Sequence, residues 1–296
     1  MPTELIEKFE KHLAALLAQH IQLQEIFDAA CYMLLSQGKR IRPRIFLSLT
    51  EDLVKGKVPS KKEDYMSLAV ALELVHTATL IHDDLPALDD DDYRRGKVSC
   101  HKKFGEDVAI LTGDYLTALA SFVVTESQLS SDVKVRFLSE LSKTFMQICS
   151  GQILDLQKDT DQSTGKSTGQ NTRKDFVKIN RLKTAALFKI SCSMAGLVSA
   201  KDSVTVVMLE ELGDLFGQYF QLRNDFQDLE FPEETGRNYS SDEKNSKINQ
   251  LTGKVKAEQK RVLDVARKKF LEHLGSVESE LGFDLKNFSK TVQAIL

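Results

Sequence analysis

The chain has 296 residues, a net charge of −3 and no Trp. So weakly acidic a balance offers no basic field and excludes bulk nucleic-acid binding as the main function. With only 15 Gly and 5 Pro, few turns are specified, and the composition favours long helices over a many-stranded fold.

Helical periodicity starts at once. "LIEKFEKHLAALLAQHIQLQEIF" (5–27) repeats apolar residues at three and four, and its interspersed Glu and Lys make it no signal peptide. "YMSLAVALELVHTATLIHDDL" (65–85) is nearly all apolar and predicts a helix buried on most sides. "VAILTGDYLTALASFVV" (108–124), "SELSKTFMQICSGQILDLQ" (139–157), "FVKINRLKTAALFKISCSMAGLVSA" (176–200) and "VVMLEELGDLFGQYFQLRNDFQDL" (206–229) continue the pattern. The segment from Gly253 to Leu274 is amphipathic and highly charged, so it packs by one stripe.

Two irregular stretches, 158–175 and 230–247, read as loops, and strong helices resume after each. No strand-like alternation and no solenoid period occur, so the expectation is a single all-α domain over 1–296. The "GKST" at Gly165–Thr168 is not a P-loop, because Thr160 stands where the first glycine belongs and no strand precedes it. Cys31, Cys100, Cys149 and Cys192 are far apart, which argues against structural zinc and for reduced thiols in a cytoplasmic setting. No uninterrupted apolar run approaches the roughly 20 residues of a membrane span.

The densest chemistry is "HDDLPALDDDDYRRGK" (82–97). Carboxylates at a helix C-terminus oppose the helix dipole, and crowding raises their pKa values. A hard divalent cation resolves this, and Mg²⁺ is usually shared between one or two carboxylates and substrate phosphates. Arginines follow at once, as a diphosphate would require. A charge run is more often a solvated loop, but this one is fused to an apolar helix. Asp83 and Asp89 are six apart and would lie on different faces of a straight helix. Pro86 between them breaks the helix and can re-aim Asp89 toward Asp83.

"GKRIRP" (38–43), "DDLPALDDDDYRRG" (83–96), "GQILDL" (151–156), "LKTAALF" (182–188) and "FQLRNDFQD" (220–228) occur in order. Together they resemble the trans-isoprenyl diphosphate synthase (polyprenyl synthetase) family, and within it the bacterial farnesyl and geranylgeranyl diphosphate synthases. The resemblance covers about residues 30–250. It implies a helical bundle around a deep cavity, a homodimer, and Mg²⁺-dependent condensation of isopentenyl diphosphate with allylic diphosphates. It implies Asp83 and Asp89 as metal ligands with Asp84 in support, and Asn224, Asp225 and Asp228 as the facing metal-binding motif. It implies Lys39, Arg42, His76 and Arg95 for isopentenyl diphosphate, and Arg94, Lys183, Thr184, Gln221 and Lys247 for the allylic diphosphate and its ionisation. Gln152 and Asp155 are expected to support the cavity wall rather than react, and His82 and His101 to be structural or peripheral.

The sequence departs from the family in the second motif. Asn224 stands where a carboxylate is usual, Arg237 where a lysine is usual, and "KINQL" (247–251) replaces the usual segment. Small residues, Ala78 and Thr79, occupy the positions that limit product length in the family, which favours geranylgeranyl over farnesyl. The competing reading is a weakly active or inactive member serving as a regulatory or binding subunit. A terpene cyclase using Asn224 leaves the isopentenyl set unexplained, and a plain helical scaffold leaves the acidic stretch unexplained.

Overall fold

The structure is a computed structural model describing residues 3–36, 38–54, 62–163, 178–230 and 253–296. Its helices are α1 (Thr3–His20), α2 (Gln24–Leu34), α3 (Ile41–Val54), α4 (Lys62–Asp83), α5 (Cys100–Phe104), α6 (Glu106–Glu126) and α7 (Ser131–Ser163). They continue with α8 (residues 178–198), α9 (Ser203–Glu230), α10 (Gly253–Leu281) and α11 (Lys286–Ile295). The only strands among the described residues are β1 (Tyr93–Arg94) and β2 (Lys97–Val98), an antiparallel pair. Arg95 and Gly96 join them with φ of 55° and 73°, the double left-handed geometry of a type I′ hairpin turn. The all-α expectation holds.

The nearly all-apolar segment predicted as a buried helix is α4, which packs on α6, α3, α1 and α2. Its residues from Leu68 to Val75 are buried without exception, including the carboxylate of Glu73. Beyond it, α3 packs on α8, α8 on α9, and α9 on α10. One apolar cluster runs through these layers, from Leu5 and Phe9 to Phe288 and Ile295. The two ends of the chain's core are tied by Asp52 at the end of α3. Its carboxylate accepts hydrogen bonds from the backbone N–H groups of Asn287 and Phe288 in the first turn of α11, at 3.1 and 2.9 Å. Those donors have no intrahelical acceptor, so Asp52 serves as a remote cap.

Among the described residues two helices are long and apolar enough to cross a membrane, Tyr65–Asp83 and Glu106–Glu126, with 72% and 44% of the relevant window buried. A count of uninterrupted apolar residues misses both, because a few polar side chains divide them. The first is a core helix, since its surface is covered by four neighbours.

Candidate active site

Three local features shape the site. The first is the end of α4. The helix stops at Asp83, three residues before Pro86, and the chain doubles back. The N–H groups of Asp89, Asp90 and Asp91 donate to the carbonyls of Asp83, Leu85 and Asp84 at 2.9, 3.1 and 3.2 Å. Asp90 turns the chain with φ of 52°, a conformation Asp tolerates better than most. The expected break is present, and it returns Asp89 to the end of α4 beside Asp83.

The second feature is a π-helical turn, Arg181–Ala185, within α8. Such turns widen the helix and re-aim consecutive side chains. Lys183 points to the first acidic motif, lying 3.6 Å from Asp89 Oδ2 and 3.1 Å from Asp155 Oδ2. Its neighbour Thr184 points to the second, donating to Gln221 Oε1 at 3.1 Å. Gln221 in turn donates to Asp225 Oδ1 at 2.7 Å. Gly151 on α7 and Gly217 on α9 let both helices press on this turn. A Cβ at Gly151 would meet Leu182 at 2.9 Å, and one at Gly217 would meet Ala185 at 2.6 Å. That approach allows Gln152, on α7, to donate to Asp89 Oδ1 at 2.7 Å.

The third is the start of α3. Pro43 sits in its first turn, where a missing N–H costs nothing. Arg42, one residue earlier, is buried with its guanidinium 4.8 Å over the Phe188 ring. Its Nη1 lies 2.9 Å from His76 Nε2. Burial, then the surrounding guanidinium groups of Arg42, Arg95, Arg94 and Arg40, hold the His76 pKa well below its ordinary value. The imidazole is therefore neutral, and its Nε2 accepts from Arg42. Burial lowers the Arg42 pKa to about 10, with Glu73 opposing. A buried guanidinium whose Nε has no partner is a ready anion site.

The carboxylates carry the matching strain. Burial pushes Asp83 up to about 6, with Lys183 pulling it down and Asp89 pushing it up. Asp84 also rises to about 6 through burial, although Arg94 hydrogen-bonds it. Arg94 is held between Asp84 and Asp91, the latter at 3.0 Å.

The sequence profile of polyprenyl synthetases matches residues 23–279. The chain belongs to the polyprenyl synthetase family. It is 36% identical over 225 residues to the farnesyl diphosphate synthase of Geobacillus stearothermophilus, covering 74% of this chain and 71% of that protein. It is 33% identical over 211 residues to the geranylgeranyl diphosphate synthase of Methanosarcina mazei, covering 71% and 61%. Its fold matches the Helicobacter pylori geranyltransferase structure complexed with magnesium and isoprenyl diphosphate. That match has a TM-score of 0.78 and 25% identity, over 100% of this chain and 97% of that one. These relatives support prenyltransferase activity for the chain and place its fold among the isoprenoid synthases.

In this polyprenyl synthetase the structure brings most of the expected residues into two connected groups. Asp83, Asp89, Lys183, Thr184, Gln221 and Asp225 form one, bridged by the π turn. Arg42, His76 and Arg95 form the other, with exposed Lys39 on the loop before α3. Arg94 and Asp84 are bonded to each other between the two. Asn224 lies on α9, half-buried, one residue before Asp225. The side chain of Asp228 and all of Arg237 and Lys247 lie outside the described residues. Gln152 and Asp155, expected as cavity-wall supports, anchor Asp89 and Lys183.

Asp90, Asp91 and Asp92, which end the acidic stretch, also have defined surroundings. Asp91 pairs with Arg94, and Asp92 with Lys102 at 2.9 Å. Asp90, Asp92 and the buried His101 bring one ligand atom each within 4.8 Å of one another. Sequence reasoning passed over Glu73 and Glu10, which hold Arg40. The signal available for Glu73 was a carboxylate at the centre of an apolar helix, which burial makes costly unless paired.

Proposed function

We propose that this chain condenses isopentenyl diphosphate with allylic diphosphates to give a short-chain trans-polyprenyl diphosphate, geranylgeranyl rather than farnesyl. The observation that carries the reading is the π turn, which joins the two acidic motifs through adjacent residues, Lys183 and Thr184. A basic set built around the buried Arg42 stands apart from them, so the site has separate places for two diphosphates.

Asp83, Asp89, Asn224 and Asp225, with Asp228 beyond the described side chains, offer the oxygen donors that suit Mg²⁺. The Asp83 carboxylate, lifted to about 6 by burial, is unsatisfied in a way that a divalent cation would relieve. Bound there, Mg²⁺ would neutralise charge developing on a departing diphosphate.

The protein's own groups divide the rest of the work. Arg42 and Arg95, with Lys39, hold isopentenyl diphosphate, and neutral His76 orients Arg42. Lys183, Thr184 and Gln221 face the allylic diphosphate, with Lys183 kept charged by Asp89, Asp83 and Asp155 in spite of burial. Arg94, locked by Asp84 and Asp91, presents a fixed positive edge to the same diphosphate. The allylic C–O bond breaks with its electron pair leaving on diphosphate. The double bond of isopentenyl diphosphate then attacks the allylic carbon, and a proton is lost to restore an alkene. Fixed charges in a water-poor site favour the first step.

The product preference rests on Ala78, fully buried, and Thr79, whose hydroxyl is turned to the His76 carbonyl at 2.8 Å. Neither adds bulk to the α4 face that leads to Asp83. A homodimer fits the apolar side chains left exposed on α6 and α7. Leu111 and Phe122 recur at eleven, and Val135, Met146 and Ile153 at eleven and seven, so each helix carries one apolar stripe. Four free thiols fit a cytoplasmic, single-domain enzyme. The synthase activities of the relatives favour catalysis over a regulatory subunit.

The test uses labelled isopentenyl diphosphate with dimethylallyl, geranyl and farnesyl primers, with products sized. Geranylgeranyl diphosphate as the main product supports the reading, and Ala78→Phe should shorten it. Farnesyl as sole end product would overturn the length assignment, and no product would overturn the activity.

A further inference from the structure

The expected substrate-binding residues leave two deeply buried charges, Glu73 and Arg40, without a role. Glu73 lies on α4 one turn before His76 and is 1% exposed. One carboxylate oxygen accepts a hydrogen bond from Arg40 Nη1 at 3.1 Å, while Oε2 is buried with no partner. Arg40, 3% exposed, also donates to both oxygens of Glu10, at 2.6 and 3.3 Å, to the Ser36 carbonyl at 3.2 Å, and to the Leu34 carbonyl. Its guanidinium is thereby committed to the protein interior and cannot bind a substrate. Its backbone has φ of 46°, a left-handed conformation that a non-glycine residue keeps only when its surroundings enforce it. Lys39 precedes this fixed residue, and Arg42 follows two positions later.

Among the described residues Arg42 has no hydrogen-bonded carboxylate and meets His76 and the Phe188 ring. The next guanidinium, Arg95, approaches Gly38, where an added Cβ would sit 3.0 Å from its Nη1. Two of these like charges, Arg40 and Arg42, are buried, and the exposed Arg95 adds a third at the mouth of the same region, so their repulsion is screened less than between free side chains in water. Glu73 is the carboxylate that acts on all three: it raises the pKa values of Arg40, Arg42 and Arg95 against the effect of burial.

We propose that Glu73 is a positioning residue for the isopentenyl diphosphate site. Through Arg40 it sets the loop that carries Lys39 and Arg42. As a fixed counter-charge it keeps Arg42 and Arg95 together before the anion arrives. The inference rests on reading this basic set as the isopentenyl diphosphate site. Its orphaned oxygen explains itself in these terms, because a fully bonded carboxylate would need another donor where the site needs its cations free for substrate.

Calorimetric titration of isopentenyl diphosphate and steady-state kinetics with dimethylallyl diphosphate test this on the intact protein. Glu73→Gln keeps an acceptor for Arg40 but removes the charge. It should raise the isopentenyl diphosphate Kd and KM about tenfold, with kcat and the dimethylallyl KM changed less than about twofold. Glu10→Gln, at the half-exposed end of the same network, should show the same split at about threefold and serves if Glu73→Gln does not fold. An equal rise in both KM values, or an unchanged isopentenyl diphosphate Kd in whichever variant folds, overturns the proposal. If the wild-type protein itself binds no isopentenyl diphosphate, the reading of the site fails and the proposal with it. Wild-type binding together with unaffected variants defeats the proposal alone.

Discussion

Lys183 and Thr184 are neighbours in sequence, yet they bond to groups on opposite sides of the site. They stand on the π turn, which widens the helix where the two side chains leave it. Lys183→Gln keeps a donor on a shorter stem but removes the charge, so turnover should fall by about 10²-fold with the fold intact, checked by kinetics alongside circular dichroism. Asp84 predicts differently. It is fully buried against Arg94, which also pairs with Asp91, so Asp84→Asn removes a buried charge while leaving Arg94 one partner and should move denaturant unfolding at pH 7 by less than about 1 kcal/mol. The pH dependence follows from Asp83 and Asp84. Both carboxyls have folded pKa values near 6, above the unfolded 3.8, so the folded state holds these protons more tightly. Ionising them therefore detracts from stability above pH 6, and this penalty is relieved as pH falls from about 6 toward 4. The metal-free protein should show a smaller loss of Tm, or a gain, on moving from pH 7 to pH 5, and Asp83→Asn should flatten that profile.

At the scale of elements, what the sequence disclosed follows from periodicity. The apolar spacing of α4 announces a buried helix, and the acids at its end announce a break near Pro86. The location of that break was less legible, because it depends on the carbonyls of Asp83, Asp84 and Leu85 being capped by N–H groups five to seven residues ahead. The π turn left no mark in "RLKTA", whose residues are ordinary helix formers. It arises from what presses on it. Gly151 and Gly217 are the pressure points, and Gly151→Ala or Gly217→Ala should each lower stability by about 1–3 kcal/mol. Each should also weaken turnover, because the turn that aims Lys183 and Thr184 must shift. The ion pair of Arg94 with Asp84 was illegible for a related reason. Which of two adjacent aspartates faces inward is decided by the rotation of the last turn of α4, and sequence spacing does not fix it.

At the scale of the molecule, α4 organises the account. One helix brings Glu73 and His76 to the basic set proposed for isopentenyl diphosphate and Asp83 to the acidic set proposed for the allylic diphosphate, and α8 faces both through Phe188 and the π turn. Leu111→Glu, at a residue 59% exposed, should convert a dimer to monomers in light scattering while leaving the helical content unchanged. The most direct measurement is incorporation of labelled isopentenyl diphosphate into an allylic primer, with Mg²⁺ present and again after chelation. The account predicts chain elongation with Mg²⁺ and none without it. Elongation that persists in chelator, or no elongation with any primer when Mg²⁺ is supplied, would contradict it.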